Sequence, residues 1–277
     1  MLRVALIQLN VSDDPATNLP VTLGYVREAA KAGAQFVLTP EVTNCVSSSR
    51  AHQNAVLQHE ENDITLTALR AEAKALQIWL LIGSLGLKTY DPDGRLANRS
   101  FLISPRGEIT ARYDKIHMFD VDVSEAETYR ESAGYRPGKR AVVAQTDFAS
   151  IGLTICYDVR FPHLYRALAQ DGARILTVPA AFSQVTGKAH WETLLRARAI
   201  ETGCFVLAPA QTGTHPQQDG KIRKTHGHSM VVGPWGEVIA DAGTEPGVTL
   251  IDLDLGQVET ARNRVPALTH DRPFEGP

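Results

Sequence analysis

Ser104-Pro105-Arg106-Gly107-Glu108-Ile109 and Gly233-Pro234-Trp235-Gly236-Glu237-Val238 are two versions of one turn in a chain of 277 residues. Apolar runs flank each: 100–103 and 109–113 around the first, 229–232 and 238–240 around the second. Each therefore reads as an antiparallel hairpin. Ahead of each hairpin, short β-branched runs alternate with helical patterns. Strands are expected at 4–9, 36–38 and 79–82 in the first half and at 151–155, 175–178 and 205–207 in the second, with a late strand at 249–253. Helices fall between them, at 18–32, 63–76, 162–170 and 189–202. In the first, Leu19, Leu23, Val26 and Ala30 share a face and Gly33 ends it; in the second, Asp63 is the N-cap and Leu66, Leu69, Ala73 and Leu76 point inward. Two similar halves, each a mixed sheet with helices outside, predict one α/β domain over residues 1–277, a four-layer α-β-β-α sandwich.

Composition excludes several classes of function. Hydrophobic residues make up 43% and charged residues 21%, with a net charge of -3. No basic excess is available to neutralise phosphates, so no nucleic-acid partner is expected. The densest basic cluster, Lys221-Ile222-Arg223-Lys224, reads as a solvated loop. No apolar run approaches the ~18 residues of a membrane span. The opening MLRVALIQLN reads as a strand, not as a signal peptide. The three cysteines, Cys45, Cys156 and Cys204, form no C-x-x-C pair, which suits a reducing compartment, the cytoplasm by default. His226-Gly227-His228 lacks further ligands at metal-site spacing, so neither a metal nor an organic cofactor is expected.

Three residues can carry chemistry. Cys156 sits at the carboxyl end of an apolar strand and just before a helix, where ligands bind and nucleophiles are presented; a helix N-terminus and nearby cations would favour its thiolate. As a cysteine it is equally a small buried hydrophobe. Glu41 follows a strand at the same kind of edge, and burial there would raise its pKa toward that of a general base. Lys115 ends the first hairpin, where an ammonium can stabilise an oxyanion. Taken singly, Glu41 and Lys115 are also ordinary surface charges.

TPE (39–41), YDKIHMFDVDV (113–123), GLTICYDVRFP (152–162) and PAAFSQVTGKAHWETLLRARAIE (179–201) together resemble the nitrilase superfamily of carbon–nitrogen hydrolases. The resemblance runs from Val4 to near the C-terminus. It implies the α-β-β-α sandwich, a catalytic triad of Glu41, Lys115 and Cys156, and a second glutamate, Glu131 in RESAGYRPG, beside the lysine. Tyr157-Asp158 stands where true nitrilases carry Trp-Glu, and the chain is most similar to the branch of ω-amidases and deaminated glutathione amidases. That branch implies a substrate pocket of Arg160, Tyr157, Phe182 and Thr186, with Arg160 pairing a 2-oxo-acid carboxylate, as a guanidinium is suited to do. AIETGCFVLAPAQTG (199–213), SMVVGPWG (229–236) and HDRPFE (270–275) point within it to hydrolysis of a deaminated glutathione to 2-oxoglutarate and cysteinylglycine. The alternatives are ω-amidase action on 2-oxoglutaramate and, in another class, a silent binding or scaffold protein. A homodimer or larger homo-oligomer is implied, with residues from about 255 to 277 at its interface. His117 is expected to shape the site, and His190-Trp191-Glu192 to order a helix start.

Overall fold

Strand–helix alternation builds two six-stranded sheets in this computed structural model, which describes residues 1–123, 128–218 and 221–276. The first half runs β1 (Leu2–Gln8), α1 (Pro15–Lys31), β2 (Phe36–Leu38), α2 (Arg50–Val56), α3 (Ile64–Leu76), β3 (Trp79–Leu87), β4 (Ala97–Ile103) and β5 (Ile109–Asp114). A short antiparallel pair follows, β6 (Asp120–Asp122) and β7 (Thr128–Arg130). The second half runs β8 (Val142–Gln145), β9 (Ser150–Leu153), α4 (Pro162–Gln170), β10 (Ile175–Thr177), α5 (Gln184–Thr202), β11 (Phe205–Ala208), β12 (Thr212–Thr214), β13 (Lys224–His226), β14 (Met230–Val232) and β15 (Val238–Asp241). β16 (Gly247–Leu253) and α6 (Gly256–Arg264) come last.

The sheet orders are β16-β1-β2-β3-β4-β5 and β15-β14-β11-β10-β9-β8. Each has three parallel central strands, a following hairpin on one side and an antiparallel strand on the other, β16 on β1 and β8 on β9. The two quoted turns match in detail: Gly107 N donates to Ser104 O at 2.8 Å and Gly236 N to Gly233 O at 2.9 Å. Gly107 and Gly236 have φ of 76° and 92°, a region that favours glycine. The resemblance between the halves is therefore one of topology as well as of turn chemistry.

Alternating strand residues explain the four layers. Val4, Leu6, Phe36, Leu38, Leu81 and Leu102 face the second sheet and join its Ile151, Leu153 and Ile175 in one core. Their neighbours Ala5, Ile7, Val37, Leu80 and Phe101 face outward and pack with Val26 of α1 and Leu66 and Leu69 of α3. With both faces covered, the strands read as near-continuous apolar runs.

Some boundaries differ from expectation for local reasons. α1 starts at Pro15, with Asp14 as N-cap accepting from Ala16 N. Its buried face centres on Asn18, Thr22, Val26 and Ala29, one residue round from the apolar stripe. Asn18 tolerates burial because Oδ1 accepts from Ser12 N at 2.8 Å and Nδ2 donates to Asn44 O at 2.9 Å. α3 follows the expected pattern, Asp63 accepting from Leu66 N at 2.7 Å. α5 begins at Gln184, so His190-Trp191-Glu192 lies inside it. Gly187 hid this start; a Cβ there would lie 2.3 Å from the His226 ring.

Candidate active site

The carboxyl ends of β2 and β9 and the end of β5 converge at one place between the sheets. After β2, Thr39 N donates to Leu81 O at 3.0 Å, and Pro40-Glu41 crosses the sheet edge. Gly83 makes room for this crossing: a Cβ there would lie 2.0 Å from Thr39 O and 2.5 Å from Pro40 O. Lys115 follows β5, its backbone N–H donating to Asn98 O at 3.0 Å. Cys156 follows β9 in the left-handed region, with φ of 49°, a conformation an ordinary side chain holds only when its surroundings impose it. Asp158, fully buried, imposes it here. Its oxygens accept from Ile155 N (2.9 Å), Tyr113 Oη (2.7 Å) and His117 N (3.0 Å) and lie 2.7 Å from His117 Nδ1. His117 also stacks on Phe161, with ring centroids 3.5 Å apart, so it braces the turn.

Glu41, Lys115, Glu131 and Cys156 form one connected group. Lys115 Nζ lies 2.9 Å from Glu41 Oε1 and 3.0 and 2.9 Å from the two Glu131 oxygens. Glu41 Oε2 accepts from Ala181 N at 2.7 Å, and the Glu41 carboxylate lies near enough to the Cys156 thiol to raise its pKa. Glu131 Oε2 accepts from Phe119 N at 2.6 Å. Asn98, which sequence reasoning passed over, donates to Glu41 Oε1 at 2.9 Å and to Glu131 Oε1 at 3.4 Å. The signal for it was a polar residue in an apolar strand, but that strand was expected to begin only at residue 100.

The charges have a definite resting state. Burial pushes the Glu41 carboxyl up, but the Lys115 ammonium and its hydrogen bond, the neighbouring Cys156 thiol and the Ala181 N–H outweigh it and hold the group below its ordinary value. The expected raised pKa of Glu41 is thus corrected: the neighbouring cation wins over burial. Burial likewise works against the Lys115 ammonium, but Glu131 and Glu41 reverse it and raise that group well above the usual lysine value. Burial and the Glu41 charge push the Cys156 thiol far up, with Lys115 opposing. Cys156 therefore rests as a thiol beside an ionised carboxylate, burial and Glu41 outweighing any cation that would favour the thiolate.

A cavity of about 910 Å³ opens over this group, within the size range of small-molecule sites. Tyr157, Phe182 and Thr186 line it, with Glu41, Lys115, Glu131 and Cys156. Arg160 is not in its wall. Its guanidinium packs 5.8 Å from the Tyr157 ring and 5.6 Å from the Phe182 ring, and Nη2 lies 3.1 Å from His190 Nδ1. Residues 156–160 form a 3-10 turn, where three residues complete a revolution, so the fourth residue after Cys156 leaves its side of the turn. Lys221, Ile222, Arg223 and Lys224, expected in a solvated loop, all line the cavity. Ser48 Oγ donates to Lys221 O at 2.7 Å, tying that segment across the mouth.

The sequence profile of the carbon–nitrogen hydrolase family matches residues 3–263. The chain belongs to that family. A deaminated glutathione amidase of Yersinia enterocolitica is 38% identical over 271 residues, spanning 98% of this chain and 93% of its own. The Caenorhabditis elegans NitFhit protein matches with a TM-score of 0.87 and 34% identity over 98% of this chain, which spans 65% of that longer protein. Saccharomyces cerevisiae Nit3, a member of branch 10 of the nitrilase superfamily, matches with a TM-score of 0.84 and 28% identity over 99% of this chain and 97% of its own. The four-layer sandwich is thus that of the nitrilase superfamily, and the carbon–nitrogen hydrolase described here is an amidase. Among the described residues no helix is long and apolar enough to cross a membrane.

Proposed function

We propose that Cys156 is the nucleophile of this amidase, with Glu41 as general base and acid and Lys115 as oxyanion donor. The observation that carries this reading is the Glu41 carboxylate, buried, bonded to Lys115 and the Ala181 N–H, and adjacent to the Cys156 thiol whose pKa it raises. As sulfur attacks the amide carbon, Glu41 takes the thiol proton and the new charge collects on the carbonyl oxygen. Lys115 and the Tyr157 backbone N–H stabilise that oxyanion; losing one such donor typically costs roughly 100- to 1000-fold in rate. Glu41 then hands its proton to the nitrogen, the C–N bond breaks, and the amine leaves a thioester. Water attacks next, giving a proton to Glu41, and the carboxylic acid departs as sulfur recovers that proton. Glu131 and Asn98 hold Lys115 and Glu41 in place throughout.

The substrate favoured is a deaminated glutathione, split into 2-oxoglutarate and cysteinylglycine. The 38% identical Yersinia relative supports this choice. So does the cavity of about 910 Å³, ample for a peptide leaving group where 2-oxoglutaramate would release only ammonia. Tyr157, Phe182 and Thr186 line the acyl pocket in this reading. Residues 1–277 act as one domain in a homo-oligomer of the cytoplasm, and the exposed Val265 and Phe274 suit an interface over residues 255–277, of which Pro277 lies outside the described residues.

The test is mass analysis of products from deaminated glutathione, 2-oxoglutaramate and related ω-amides with wild type, Cys156→Ala and Cys156→Ser. Wild type should favour deaminated glutathione in kcat/KM and form a trappable acyl adduct on Cys156. Near-wild-type turnover by either variant would remove Cys156 from the mechanism, and a strong preference for 2-oxoglutaramate would replace the substrate.

A further inference from the structure

Among the described residues, the carboxylates in the cavity wall are Glu41 and Glu131, and Lys115 already bridges them. The same wall carries five further cations, Arg50, Arg130, Lys221, Arg223 and Lys224. Arg130 is matched by Asp122 at 2.7 Å. Arg223 is different. Half-buried, it donates from Nη2 to Ala181 O at 2.9 Å and stands 5.1 Å from the Tyr129 ring, yet no carboxylate among the described residues pairs with it. Another cleft, about 540 Å³ over β3 and β4, shows the contrast. There Arg99, Arg112 and Arg136 pair with Glu60 or Asp91 at 2.7 to 3.0 Å. A guanidinium held by its backbone contact and an aromatic face, with no carboxylate partner among the described residues, is prepared for an anion.

Its place indicates which anion. Ala181 joins Arg223 to Glu41: the Ala181 carbonyl accepts from Arg223 and its N–H donates to Glu41 Oε2. The other Glu41 oxygen faces Lys115. Arg223 is thus linked through one residue to the Glu41 oxygen that does not face Lys115, and in the hydrolase reading it is Glu41 that protonates the departing nitrogen. We propose that Arg223 is a specificity residue that binds a second carboxylate, carried on the leaving amine, so that the cavity selects amides with an acidic, peptide-like leaving group. This rests on the hydrolase reading given above for Cys156 and Glu41.

The test compares deaminated glutathione with the same compound capped as a carboxamide at its terminal glycine. Wild type is expected to favour the free carboxylate by about 10- to 100-fold in kcat/KM, mainly through KM, the scale of a hydrogen-bonded charge pair. Arg223→Gln, which keeps an N–H for Ala181 O, should bring that ratio to within about threefold of one, and Arg223→Lys should keep part of it. The ratio is internal to each protein sample, so partial loss of folded protein does not alter it. Equal turnover of both compounds by wild type, or an unchanged ratio in Arg223→Gln, overturns the assignment and leaves the Cys156 mechanism standing. Failure of wild type to hydrolyse either compound overturns the assignment together with the choice of deaminated glutathione as substrate.

Discussion

Replacing Lys115 with methionine would keep most of the side-chain volume and remove the cation from between two carboxylates. Lys115 is 2% exposed, so water cannot take its place at little cost. Two ionised carboxylates sharing Asn98 in a buried site repel, and one of them takes up a proton. That proton caps the penalty. Against an ordinary glutamate pKa of about 4.3, protonation at pH 7 spans roughly 2.7 pH units at about 1.36 kcal/mol each, or about 3.7 kcal/mol. This agrees with the ~3–5 kcal/mol typical of breaking a buried pair. In wild type, Glu41 is held below its ordinary value, so its contribution is present above a pH of about 4.3 and is lost as pH falls through the folded value. Lys115 is raised; its contribution holds below a pH of about 10.4 and is lost as pH climbs through its folded value. The variant inverts the carboxylate's sign, because its folded state binds a proton that the unfolded chain has released. Its deficit against wild type should grow from about 1 kcal/mol at pH 5 to about 5 kcal/mol at pH 8. Urea unfolding of both proteins at four pH values, followed by tryptophan fluorescence, measures this. A gap independent of pH, or one below about 1 kcal/mol at pH 7, would refute the charge assignment.

Gly83→Ala drives a Cβ to 2.0 Å from Thr39 O; a loss of about 3 kcal/mol or more and a fall in kcat are expected from unfolding curves and turnover, whereas Gly24→Ala, with nothing within 4 Å, should stabilise α1 by about 0.5–1 kcal/mol. Asn98→Asp sets a third carboxylate against Glu41 and Glu131, and kcat/KM should drop at least roughly 100-fold at pH 7 and recover partly near pH 5, where the new group can donate again; a pH–rate profile decides. Tyr113→Phe removes one donor from Asp158 and should cost about 1.5–3 kcal/mol by thermal or urea unfolding, with kcat reduced by less than about tenfold as the turn around Cys156 loosens.

What could be read from the sequence was what is local. The Pro-x-Gly hairpins, Asp63 as an N-cap and Gly33 as a helix stop each depend on a few adjacent residues, and each stands where expected. The helix starts at Pro15 and Gln184 were obscured because Asn18 and Gly187 break the apolar pattern, their reasons lying in Ser12, Asn44 and His226, remote in sequence or in another element. In the site, Glu41, Lys115 and Cys156 were candidates by position, motif resemblance joined them with Glu131, and the fold gathers the four around Lys115 and Glu41. Asn98, Arg223 and the exclusion of Arg160 from the cavity wall were not legible, since each depends on which way a turn or strand aims a side chain. The direction of the Glu41 shift was hidden for a related reason: burial and Lys115 act in opposition, and only the 2.9 Å separation decides between them.

The pairing of β16 with β1 also governs how the chain folds. The register sets Arg3 against Asp252, 249 residues apart, and joins them by an ion pair at 2.8 Å. During synthesis β1 leaves the ribosome well before its partner, since the strand that covers its open edge emerges only after all of β2 to β15. Until then an apolar edge stands ready to pair with other chains. Closing so long a loop delays the reward of that contact, which places this protein among the slower-folding topologies. The sheet around β1 is complete only once residues 247–253 have returned to it, so β1 waits for a neighbour made fifteen strands later.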